Sequence, residues 1–158
     1  MALRPPSLQK TYDEYSPYDP AFTQLAADAT EDDRKAWFAL VETARETGDW
    51  STLLVPGGNP TKFVLRPLPG DVYRALSDMW QLGRNDSQIT ALFFRAALKA
   101  VSNLEDHATE VKLTTAAGVP GKIADVAVAN MLDALDKRIV ADLGDAVIKR
   151  GQAIAPRS

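Results

Sequence analysis

The stretch that most constrains this chain runs from Asn85 to Asp106, NDSQITALFFRAALKAVSNLED. Ile89, Leu92, Phe93, Ala96, Ala97, Ala100, Val101 and Leu104 recur at three- and four-residue spacings, which stacks them along one side of a helix. Phe94 and Leu98 add a second apolar stripe, leaving Arg95, Lys99, Ser102 and Asn103 as a narrow polar seam. A helix apolar on most of its circumference belongs at the centre of a fold, with neighbours on several sides. Asn85 is the predicted N-cap, with Gln88 placed to complete a capping box. This is a packing element, and it carries no reaction chemistry.

The segment before residue 25 has a different character. Pro5, Pro6, Pro17 and Pro20 obstruct helix and central strand alike, because proline lacks the amide donor and restricts the residue before it. Yet Tyr12, Tyr15, Tyr18 and Phe22 recur every three or four residues, and disordered tails are usually poor in aromatics. An extended arm is expected over residues 1–25, its four rings lying on a partner's surface. A single globular domain is expected over 26–151, with a tail over 152–158.

Within that domain, Thr30-Glu-Asp-Asp33 predicts a capped helix start, with acidic side chains at the positive end of the dipole. Trp37, Leu40, Val41 and Ala44 form its buried stripe, and Gly48 ends it. Residues 51–55 and 61–66 are short β-favouring runs around Pro56-Gly-Gly-Asn-Pro60, which predicts a hairpin with Phe63 and Leu65 turned inward. The glycines do not make a phosphate loop, since no Gly-Lys-Ser/Thr follows and Pro60 removes a needed amide. A second helix is expected from the cap Asp71 to Gly83, burying Val72, Leu76, Met79 and Trp80. It does not lead a DNA-reading pair, because the helix after it opens with Asp86, Ile89 and Leu92 rather than basic residues. Val111–Thr115 offers a short strand, and Lys122–Arg150 a long last helix that Gly144 bends or breaks. The expected fold class is therefore α+β, mainly helical: a core of about four helices, a small β-hairpin and the N-terminal arm.

The composition excludes several function classes. A chain of 158 residues, 46% hydrophobic and 25% charged, matches an ordinary globular domain. It has no cysteine, which excludes disulfides, thiolate zinc sites and cysteine nucleophiles. A net charge of −3 argues against a general phosphate-binding surface, so no nucleic-acid partner is expected. No apolar run approaches the ~20 residues that span a bilayer, so no membrane partner is expected, and the N-terminus lacks a secretory h-region. His107 is the one histidine, and it lies among Glu105, Asp106 and Glu110 without a second imidazole, which favours a solvated side chain over a metal ligand. An enzyme would need dispersed residues such as Asp71, Arg74 and His107 to converge. No cofactor, catalytic residue or metal ligand is assigned.

Residues 59–76, NPTKFVLRPLPGDVYRAL, place a short strand ending in Leu-Arg-Pro-Leu ahead of a helix. In this the chain resembles, over about residues 51–105, small proteins from the structural gene modules of tailed bacteriophages. The resemblance implies a non-enzymatic role as a minor virion component, with a tail-assembly chaperone or adaptor as the alternative. It also implies protein partners from a larger assembly, copies of the chain included, and a location in the virion or the host cytoplasm. No functional residue is carried over, because the matching residues define a turn and a core. A small enzyme with a dispersed site is the reading from another class.

Overall fold

The computed structural model describes residues 11–82, 86–104 and 111–154. In chain order these form β1 (Tyr12–Glu14), α1 (Glu31–Thr47), β2 (Lys62–Leu65), α2 (Gly70–Gln81), α3 (Asp86–Ala97), β3 (Leu98–Ser102), β4 (Val111–Lys112), α4 (Val126–Asp133) and α5 (Lys137–Ile154). The strands make one antiparallel sheet in the order β1-β2-β3-β4. The α+β class with a helical majority holds, and three parts of the expected architecture are corrected.

The first correction concerns the central helix. It stops at Ala97, and the next residue begins β3 with no connector. The residue after β2 supplies what ends it: the Arg66 amide donates to the Ala97 carbonyl at 2.8 Å, and the Arg66 guanidinium donates to the Ala96 carbonyl at 3.1 and 3.2 Å. The last carbonyls of a helix need outside partners, and here a tertiary neighbour provides them. Beyond that point Phe63 pairs with Val101 and Val64 with Ala100, so ladder hydrogen bonds replace the helical ones. Asn103, at φ 62, turns the chain out of β3 and ties it back through Nδ2 to the Asn59 carbonyl. Asn85, the expected cap, lies outside the described residues.

The second correction concerns the hairpin. Phe63 and Leu65 are buried as expected, but the partners of β2 are β1 and β3. Residues 51–54 form a turn that touches the N-terminal segment through a Phe22–Leu54 bridge. The third concerns the arm. Over its described part, residues 11–25, it is built into the domain: Tyr12, Asp13 and Glu14 pair with Leu65, Val64 and Phe63.

Smaller differences follow the same physics. The N-cap of α1 is Thr30 with a full capping box to Asp33, and Gly48 closes the helix in the left-handed region at φ 77, both as expected. Leu40, however, faces out, and Trp80 is partly exposed. The N-cap of α2 is Pro69, not Asp71, which lies in the first turn. The long last helix is two, α4 and α5, with residues 134–136 between them. Gly144 does not break α5. It marks where α5 crosses α3, and a Cβ there would overlap the carbonyl and methyl of Thr90.

Two cores result. The main core joins the sheet to α2–α5 around Leu65, Leu76, Ile89, Phe93, Phe94 and Leu143. An aromatic core gathers Phe22, Trp37, Val41, Ala44, Trp50 and Leu53, with Tyr15, Tyr18 and Leu25 at its edge. All of its members come from the single stretch between β1 and β2.

Candidate functional site

The four rings expected to meet a partner pack within the protein itself. Phe22 is 1% exposed and stacks obliquely on Trp50 at 5.2 Å. Tyr15 meets Phe22 edge-on at 6.2 Å and Trp50 at 6.0 Å, and Tyr18 lies 5.8 Å from Trp37. Tyr12 packs against the main core under the Arg150 guanidinium, which sits 3.6 Å from its ring centroid. Burial, opposed in part by Arg150, pushes the Tyr12 phenol up to about 12. The spacing of the rings marks a packed segment of their own domain, with Phe22 buried and Tyr12, Tyr15 and Tyr18 half-buried.

Where the two cores meet, charge does the joining. Glu14 lies opposite Phe63 in the sheet, and directly opposed residues share a face, so its carboxylate is directed inward. There it accepts from Arg45 Nε at 3.0 Å. The rest of the Arg45 fork donates to Asp142 on α5, at 2.7 and 3.2 Å, and to the Tyr15 carbonyl at 3.0 Å. Burial works against the Arg45 charge, but the hydrogen bonds and charge of Asp142 and then Glu14 outweigh it and hold its pKa above the ordinary guanidinium value. Burial also raises Glu14, and the Arg45 charge only partly offsets this. The two directions are compatible: one guanidinium serves two carboxylates, so its charge is secure while Glu14 receives only a share. The triad is a clamp between β1, α1 and α5.

Beside the clamp runs a groove of about 310 Å³ between the cores. Phe63, Leu104, Met131, Leu135 and Ile139 make its apolar wall. Its polar side is already engaged: the Asp19 carboxylate accepts from the Ala21 and Thr61 amides, and the Thr61 hydroxyl donates to the Asn103 carbonyl. Asp71 and Arg74 are exposed on α2, and His107 lies outside the described residues. Among the described residues no cluster of His, Asp or Glu is placed to hold a metal, and no helix is long and apolar enough to cross a membrane.

Helix α1 carries a second surface that its buried stripe does not predict. Trp37, Val41 and Ala44 anchor it, while Phe38 remains 46% exposed, its ring edge-on to Trp37 at 5.0 Å. Glu31, Arg34, Lys35, Ala39 and Glu42 surround Phe38 along a shallow trough. The available signal in the sequence was a phenylalanine out of phase with the stripe.

Comparison with protein-family models, with curated proteins and with solved structures finds no match to this chain.

Proposed function

We propose that this chain is a non-enzymatic structural or assembly subunit that works through protein–protein contact, with a minor position in a tailed-phage particle as its setting. The observation that carries the reading is the outer face of α1. A 17-residue helix is held by one narrow stripe and presents an aromatic ring ringed by charged side chains to the outside. Such a mixture of one large ring and flanking arginine or lysine suits a contact surface, because rings supply area and the charges supply orientation. The setting rests on the resemblance of residues 59–76 to tailed-phage structural proteins.

The test is association in the cell of origin. A tagged chain should sediment with a large assembly, and Phe38→Asp should release it while leaving the circular dichroism unchanged. Recovery of both forms as small, unassociated species would overturn the reading.

A further inference from the structure

All the residues lining the trough on α1 come from α1, so the trough has one wall and lacks the other. The charges along that wall are ordered. Arg34 and Lys35 precede Phe38, and Glu42 follows it. None of these three charges, nor Glu31, enters an ion pair among the described residues. We propose that the missing wall is α1 of a second copy, running antiparallel about a two-fold axis through Phe38.

The charge order selects this arrangement. Positions 34 and 42 are equally far from 38, so reversal about Phe38 sets Arg34 of each copy against Glu42 of the other. The pair forms twice, as two-fold symmetry requires. Lys35 lies one position further round the same contact. A parallel pairing would oppose like charges instead, Arg34 to Arg34 and Glu42 to Glu42. At the axis the two Phe38 rings meet, each already oriented by its own Trp37. Glu31 falls opposite Arg45, which is committed to Glu14 and Asp142, so the ends of the contact contribute less than its centre.

Size sets the strength. The 17 residues of α1 span about 25 Å, and two such helices cover less than a standard interface. The dimer is therefore weak, dependent on concentration and weakened by salt. A weak two-fold contact still matters in an assembly, where many copies are held together and effective concentration is high. This partner assignment rests on the contact-making role proposed above, but its test uses the purified chain alone.

Sedimentation over a concentration series should show a monomer–dimer equilibrium. Arg34→Glu or Glu42→Arg alone should each weaken it roughly tenfold, since a favourable pair becomes a repulsive one twice over. Arg34→Glu combined with Glu42→Arg should restore it, because the swapped charges again face each other. Phe38→Asp should raise the dissociation constant by roughly a hundredfold or more through loss of the central rings. All three side chains are exposed, so the helical spectrum and melting temperature should stay as in the parent. A monomer at every concentration, a dimer indifferent to Phe38→Asp, or a double variant no better than the singles would overturn the proposal. The two readings fail separately: a chain that joins an assembly yet is monomeric alone keeps the function and loses the dimer. A chain that dimerises but joins nothing does the reverse.

Discussion

The main core and the aromatic core solve burial by different means. In the first, helices and a sheet satisfy most of the backbone internally, with Arg66 serving the end of α3, and rings such as Phe63–Phe94 and Tyr73–Phe93 fill the space between them. In the second, one helix packs on irregular chain, and side chains serve several of its carbonyls. Trp37 Nε1 donates to the Thr23 carbonyl at 2.9 Å, and Gln24 Nε2 donates to those of Pro17 and Asp19 at 2.8 and 2.9 Å. Irregular chain can thus be packed tightly, but its order then depends on a few named donors rather than on a repeating ladder.

The contrast can be broken most forcefully from the main core. Phe94→Asp puts an unpaired charge at a site that is 1% exposed, and should cost more than about 5 kcal/mol, enough to remove the cooperative transition altogether. A normal melting curve would mean that α3 is not central. Phe22→Ala should cost about 3–5 kcal/mol in the aromatic core. Hydrogen exchange sharpens the comparison here: α1 amides should open well before those of β3. Uniform loss of protection would show the two cores to be one cooperative unit.

Arg45→Ala tests the clamp between them. It leaves Glu14 and Asp142 without their cation, and should cost about 3 kcal/mol, at the low end for a buried pair because the arginine side chain is 25% exposed. Adding Glu14→Gln should recover part of this, since Glu14 is already raised by burial and its neutral form is easier to bury. Denaturant midpoints of the single and double variants decide it.

The smallest effect is alkaline. The folded Tyr12 phenol titrates near 12 rather than the ordinary 10.0, so between those values the unfolded chain loses its proton first. Its contribution to stability is full below pH 10 and disappears as pH rises toward 12. Tyr12→Phe should flatten that part of the stability profile, and a parent profile with no greater slope would contradict the burial of the phenol.

Much of the local structure was legible in the residues. Thr30, Asp33 and Gly48 specify α1 because caps act on their immediate neighbours. Phe63 and Leu65 announce an inward face by alternation alone. The end of α3 was not legible, because Leu98, Ala100 and Val101 fit a helical stripe as well as a short buried strand. The deciding groups, Arg66 and strand β2, lie some thirty residues earlier in the chain. The candidate site divides the same way. The aromatic spacing revealed that Tyr12, Tyr15, Tyr18 and Phe22 pack against something, but no local pattern says whether that surface is the chain's own. Glu14 gave no signal at all, since its burial follows from a pairing register with Phe63.

The position of the aromatic core within the chain bears on how the protein is made. Its residues are contiguous, and the Phe22–Leu54 bridge, with the Thr23 amide on Leu53 and the Val55 amide on Ala21, ties the two ends of that stretch together. The Phe22–Leu54 bridge closes a shorter stretch than the Tyr12–Leu65 pairing does, and so costs less loop entropy. Once the aromatic core has gathered the intervening chain, β1 and β2 have a shorter effective loop to close. A strand synthesised well before its neighbour would otherwise wait as an unpaired edge.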